Sequence, residues 1–436
     1  MVSFSRALSY TLVHMLGSFT FGFITIFPTP GVRSMQVEWP YFNSIVDQQS
    51  IRFFNSFAPL FASLGGFLVH ILIRYVFNSH RRIVICILNV FGVVIWALFL
   101  IITPERWWIG ILLRSLQGLV LGGNATLTPI FILELAPINS KGLFGGLAQI
   151  GKTTAFLIYY IIATYSDWKA MALVGAVFCL LHSIFIWFTP EHNEINTHPN
   201  LDYEISLYNS DFNSDKKYHS LKPKCTNCFK SGHESIFQRK YAFKLFSGMM
   251  MMIFQQFCGI NALNANLAHV MEKTGLHFHP NLKSAISTTA QWLGVFISSF
   301  ILDACGRKSI WILSATGITI GLAMYSASLK TDVRGWFSAL CSLLIMVFFG
   351  VGFGPIPWFI GYEMFPNDVR IMGQAMINFS AMIASFAIAF VNPIMTEELG
   401  AFYSNIIYMS ITFFSIFFGI WCVIDPEENT SLITVL

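Results

Sequence analysis

Charge is scarce in this chain. Of its 436 residues only 11% are Asp, Glu, Lys or Arg, against roughly a quarter in soluble domains. A surface that poor in charge would not stay in water at this length, so a soluble globular fold is excluded. The net charge of +4 is mild and the basic residues are scattered, which excludes nucleic acid as a partner. A cleavable signal is missing too: the first apolar run, from about Leu8 to Pro30, is too long and has no small-residue cleavage site. None of the eight cysteines falls in an expected outer loop, so free thiols are expected rather than a disulfide framework. Nor is there a nucleophile–base pair, a phosphate loop or a credible metal site. The reading is therefore no enzyme, no cofactor and no metal.

Apolar residues make up 55% of the chain and aromatics 16%. A helix needs about 20 mostly apolar residues to cross about 30 Å of hydrocarbon. The apolar runs predict spans at 8–30, 52–77, 83–103, 108–134, 142–165 and 168–189, then at 242–270, 283–303, 309–329, 335–362, 369–394 and 401–424. The expected fold class is thus an all-α membrane protein of twelve transmembrane helices. One long polar stretch interrupts it. The domain reading is an N-terminal six-helix bundle over 1–189, a cytoplasmic linker over 190–240 and a C-terminal six-helix bundle over 241–436. With both termini and the linker cytoplasmic, sixteen of the 26 Lys and Arg residues lie inside and eight outside, as the positive-inside rule requires. The expected location is the plasma membrane.

The halves repeat. Glu134-Leu135-Ala136-Pro137, with Lys141 four residues on, recurs 229 residues later as Glu363-Met364-Phe365-Pro366, with Arg370 four residues on. Arg81-Arg82 recurs 226 residues later as Arg307-Lys308. Two charged motifs returning at nearly one offset, each after the same ordinal span, argue for a six-plus-six duplication.

On these motifs the chain resembles the sugar porter family of the major facilitator superfamily. The matching segments are Arg114 to Gln149, QQFCGINA from Gln255, DACGRK from Asp303, and GFGPIPWFIGYEMFPNDVR from Gly352. Together they run over nearly the whole chain in the family's order. The resemblance implies the major facilitator fold, with two pseudo-symmetric halves, and alternating access around a midplane site. The partners it implies are a small sugar and the lipid bilayer, with a monomer sufficient for transport. The oligomeric state is left open.

Neutral amides suit a hexose, because each hydroxyl both donates and accepts a hydrogen bond. Gln149, Gln255, Gln256, Asn261 and Gln291 match the family's sugar-contacting amides, and Trp358 offers a ring face to the C–H side of a pyranose. The bland alternative for any one of them is interhelical glue. The family pattern is broken in places. Ala265-Asn266 stand where two aromatics are usual, Ala381-Met382 replace an Asn-Trp pair, and Gln291 replaces an Asn. Ile24 stands where proton-driven members carry an Asp, while Arg114 is kept. That combination implies facilitated diffusion without proton coupling.

Lys152 lies three residues after Gln149 and near the same helix face. A lysine at mid-membrane needs a wet cavity or a partner. It either binds an anionic or strongly polar group of the substrate, bonds to carbonyls between helices, or lifts its amine to an aqueous end. At the cytoplasmic ends two charge clusters are expected, Glu134 with Lys141 and Arg370, and Asp303 with Arg307 and Glu363, with Arg81 and Arg82 nearby. In the family such pairs link the halves, although His80 and Phe77 degrade the copy after span 2. Cys225, Cys228, His219 and His233 fit no standard zinc spacing. The leading function is sugar uniport. The alternatives are a carrier of another polar or anionic solute, a proton-coupled symporter, and a sugar sensor that does not transport.

Overall fold

The computed structural model describes residues 4–77, 80–137, 140–190, 235–260, 263, 279–330 and 335–423, and every regular element among them is helical. Ten helices are long and apolar enough to cross a membrane. One of them, Asn367–Cys422, turns at Gly400, whose φ of 81° is open to glycine at no steric cost, and so counts as two spans. Arg239–Gln256, with Arg239, Lys240 and Lys244 in its first turns, completes the twelve. The expected helices therefore stand in the expected order.

Spans 1 to 6 are Phe4–Ile26, Gln48–Val76, Arg81–Phe99, Pro104–Leu135, Lys141–Tyr165 and Trp168–Phe188. Span 7 is Arg239–Gln256. Spans 8 to 10 are Pro280–Cys305, Arg307–Lys330 and Trp336–Met364, and spans 11 and 12 share Asn367–Cys422. Helix starts follow local chemistry. Asp47 and Asp167 accept from Ser50 N and Ala170 N at the heads of spans 2 and 6. The first span has its expected length but lies four residues earlier, at Phe4–Ile26. It ends at Ile26, and Pro28 opens a separate helix, Pro28–Glu38, because proline suits a first helical turn but breaks an interior.

Polarity is inverted relative to a soluble protein. Leu12, Phe300 and Phe414 are each more than half exposed, whereas Asn89, Gln117, Asn124, Gln374 and Asn378 are buried. Spans 1 to 6 pack among themselves and spans 7 to 12 among themselves. The halves meet mainly where span 2 lies on span 11 and span 5 on span 8.

Within each half glycines let helices touch backbone to backbone, most closely in one pair. A Cβ on Gly122 of span 4 would fall on the Ala62 carbonyl of span 2, 3.0 Å from its Cα. A Cβ on Gly350 of span 10 would fall on the Gln291 carbonyl of span 8, 3.0 Å from Gly294 Cα. Without a hydrophobic drive between helices in lipid, such small-residue contacts carry the packing.

Two breaks shape the middle of the C-terminal half. Span 7 ends at Phe257, and Gly259 follows at φ 82°, with no room for a Cβ against the Tyr408 ring. Span 10 widens into a π-type turn over Phe349–Phe353, closed by Gly354 N donating to Phe349 O at 2.7 Å, before Pro355 starts the next helix. Broken helices at membrane depth are tolerated where protein or a cavity lines them.

Candidate substrate recess and charged latch

A recess with about 320 Å³ of empty space, counting its open side, lies between the halves. Span 1 contributes Gly17, Ser18 and Phe21; span 4 contributes Asn124, Thr128 and Pro129; span 5 contributes Gln149 and Lys152. Across from them stands Trp358 of span 10, whose ring meets Phe21 edge-on at 5.2 Å. The Pro355 start of the helix Ile356–Met364 puts Trp358 in that helix's first turn, directly after the break.

Lys152 sits among rings. Its ammonium is 4.4 Å from the centroids of both Phe21 and Trp358 and 6.0 Å from that of Phe156. It forms no ion pair, and it bonds to no carbonyl among the described residues. A lysine at a helix centre costs about 2.5–3.5 kcal/mol on insertion scales. Each close ring contact returns about 0.5–2 kcal/mol, so two of them offset much of that. Phe21 as a cage wall, and Ser18 and Thr128 as polar lining, were not singled out from sequence. Nor does the sequence single out Asn124. Its amide in fact faces Asn89, with Asn124 Nδ2 donating to Asn89 Oδ1 at 3.4 Å and to Val120 O at 3.0 Å.

The amides expected to contact sugar separate. Gln149 lines the recess. Gln255 is committed elsewhere: its Nε2 donates to Phe353 O and, at 3.0 Å, to Gly354 O, and its Oε1 accepts from Gln256 at 3.2 Å. It holds together the break in span 10. Gln291 is buried on span 8, away from the recess lining. Asn261, Ala265 and Asn266 lie outside the described residues, as do the cysteines and histidines of the central segment. Ala381 and Met382 are core residues.

Arg114 is fully buried with no carboxylate beside it. Its Nη1 donates to Ile24 O at 2.9 Å and Gln117 Oε1 at 2.7 Å, and its Nε to Phe54 O at 3.4 Å. Near the recess lie His14 and His182, both buried, with ring nitrogens that have no hydrogen-bond partner among the described residues. His14 stacks on Phe131 at 4.7 Å.

The charged motifs gather on one face of the bundle; Asp303, Arg307 and Glu363 group as expected, with Arg307 also 3.3 Å from Asp303, whereas Glu134 takes Arg81 as its short partner. The short pairs form inside each half: Arg81–Glu134 at 2.6 Å and Arg307–Glu363 at 2.7 Å. The Arg81–Glu134 pair after span 2 therefore forms despite His80, while Phe77 leaves that copy without the counterpart of Asp303. Arg82 donates to Thr189 O, and Lys141 lies 6.0 Å from the Tyr362 ring. Besides Lys141 over Tyr362, two further contacts cross between the halves here among the described residues. Arg370 approaches Glu134 at 3.8 Å while stacking on Tyr362, and the Asp303 carboxylate accepts from the backbone N–H of Gly142 and Leu143, at 2.7 and 3.1 Å. The second is a helix N-terminus held by an acid from the other half. Elsewhere the halves are joined by Asn378 Nδ2 to Thr126 Oγ1 at 3.1 Å, Trp292 Nε1 to Thr154 Oγ1 at 3.0 Å, and Arg33 Nη1 to Asn281 Oδ1 at 3.0 Å.

A family model described as "Sugar (and other) transporter" matches residues 10–430. The facilitated trehalose transporter Tret1 of Bombyx mori is 25% identical over 371 residues, spanning 81% of this chain and 71% of that protein. Sugar transporter ERD6-like 17 of Arabidopsis thaliana is 24% identical over 344 residues, spanning 73% and 70%. Among solved structures, the proton:xylose symporter XylE bound to 6-bromo-6-deoxy-D-glucose superimposes with a TM-score of 0.77 at 20% identity, covering 95% of each chain. XylE from E. coli in an inward-open conformation gives 0.68 at 21%, covering 98% and 99%.

Proposed function

The chain belongs to the sugar transporter family, on the major facilitator fold, and from that premise we propose that it is a uniporter for a hexose-like sugar. A transporter, not an enzyme, is what the family and fold describe. The observation that carries the substrate reading is the recess: polar groups from spans 1, 4 and 5 face one aromatic platform from the opposite half. Gln149 and Thr128 meet the hydroxyls and Trp358 meets the ring, and Gln291 and Asn261, which match the family's sugar-contacting amides, complete the set. Gln255 and Gln256 act by holding the broken part of span 10 in register with Trp358.

Uniport is supported by Arg114. Its guanidinium is satisfied by carbonyls and an amide, and Ile24 supplies a carbonyl but no group that takes up a proton. Alternating access follows if the two bundles rock as bodies. The face carrying Arg81, Glu134, Arg307 and Glu363 is then cytoplasmic, and Glu134–Arg370 with Asp303 on the head of span 5 forms the latch that releases when the recess opens inward. A second reading rests on His14 and His182, two unpartnered titratable groups near the recess that stand in for the missing Asp and couple sugar to protons.

One experiment separates these. Purified protein in proteoliposomes is offered labelled hexoses with and without an imposed pH gradient. Uniport predicts saturable uptake that equilibrates and never concentrates. Accumulation driven by the pH gradient, lost in His14→Gln or His182→Gln, would install the symport reading instead. Absence of binding and flux for every polyhydroxylated compound would remove both.

A further inference from the structure

Among the described residues the cation in the recess has no counter-charge: Lys152 is the one charged residue of the described lining, and no carboxylate lines it there. The acids of the described residues lie at or near helix ends or in loops, and those closest to the bundle interior are engaged: Glu134 with Arg81 and Glu363 with Arg307. Arg114, the other cation within the membrane, has its donors on the Ile24 and Phe54 carbonyls and on Gln117. Lys152 differs. Its contacts are the faces of Phe21, Trp358 and Phe156, and a ring face stabilises positive charge without taking a proton from the ammonium's set of donors. An ion pair in the same place would have neutralised the field. The ring faces favour the charged form and leave the N–H groups to a ligand. A second donor stands next to it: the indole N–H of Trp358 is buried with no acceptor among the described residues.

A neutral hexose has no use for a fixed cation, since amides and hydroxyls already answer its hydroxyls. A carboxylate does, and it accepts from an ammonium and an N–H at once. We propose that the recess selects a sugar acid, a hexose-sized ring bearing a carboxylate such as a hexuronate, with Lys152 as the carboxylate contact and Trp358 both the ring platform and a second donor. Gln149 and Thr128 then read the remaining hydroxyls. This deepens the sugar-carrier reading and rests on it.

The test is competition for uptake in proteoliposomes carrying the full chain, with glucuronate and galacturonate set against glucose and galactose. The inference expects each uronate to compete at a concentration at least tenfold below that of its parent hexose. Lys152→Gln should lower the uronate-to-hexose ratio tenfold or more, and Lys152→Arg should retain part of it. Wild-type protein that takes hexose equally well or better overturns the inference, whatever the variants do, while leaving the sugar-carrier reading standing. A ratio unchanged in Lys152→Gln overturns the role of the lysine. Protein that handles neither class of compound takes down both readings.

Discussion

The two halves reach the same ion pair by different turns. Between spans 8 and 9, Gly306 adopts φ 78°, and the chain reverses in a single residue before Arg307 begins the next helix. Between spans 2 and 3 the matching place is His80, at φ −77°, and span 2 instead ends in a π-type turn over Leu72–Val76. A side chain with a Cβ avoids the conformation that glycine adopts freely, so the N-terminal half widens its last turn. Both routes deliver an arginine onto a glutamate at the end of the second helix along, at 2.6 and 2.7 Å. The interaction is repeated and the backbone that achieves it is not. The charged pair is thus the constrained feature, and the loop is free to vary around it.

The middle of the halves differs in the opposite sense. Span 4 runs unbroken through Pro129, whereas its counterpart, span 10, opens at Phe349–Phe353 and is held by Gln255. The continuous helix contributes several polar groups to the recess and the broken one contributes a single tryptophan. The N-terminal half therefore reads as the chemical side of the site, and the C-terminal half as the side whose shape changes.

That division has consequences in order of size. Glu363→Ala leaves Arg307 buried and short of its main partner, and breaking such a pair costs about 3–5 kcal/mol. Glu134→Ala should cost the same in thermal unfolding, and in addition release Arg370. An increase in cysteine labelling from the latch side in the Glu134 variant, absent in the Glu363 variant, marks the difference between the halves. Equal labelling in both would erase it. Next are the helix contacts. Gly122→Val and Gly350→Val each force a side chain onto a neighbouring backbone, an overpacking penalty of about 1–3 kcal/mol, and a large loss in one half alone would deny that the contacts are equivalent. Gln255→Leu removes bonds to two carbonyls, each worth about 0.5–1.5 kcal/mol. Transport should fall more than stability does, because the Trp358 platform shifts. Thr126→Val deletes one hydrogen bond between the halves, with an average value of about 0.6 kcal/mol in membrane proteins. Its effect should be confined to the rate of interconversion measured by counterflow.

Much of the architecture was legible without coordinates, and so was part of the site. Gln149, Lys152 and Trp358 were picked out and share the recess. Gln255 and Gln291 were picked out by the same motif logic, yet one amide fastens span 10 and the other is buried on span 8 away from the lining. A motif records which residue type a place requires and is silent on whether the requirement comes from ligand or backbone. The grouping around Glu134 departed from expectation for a related reason, while Asp303, Arg307 and Glu363 came together as expected. Glu134, Lys141 and Arg370 look like one cluster by motif, but Arg81, 53 residues from Glu134, approaches it more closely than Arg370 does.

By itself the sequence determined the medium, the number and order of spans, the duplication and the family. All of these depend on apolar length, charge placement and short motifs, each a property of neighbours along the chain. The tertiary structure alone decided which carboxylate takes which arginine, that Phe21 of span 1 and Trp358 of span 10 enclose Lys152 of span 5, and that Arg114 is answered by carbonyls. Those contacts join residues far apart in the chain, and their distances are set by how helices pack once glycine lets their backbones touch.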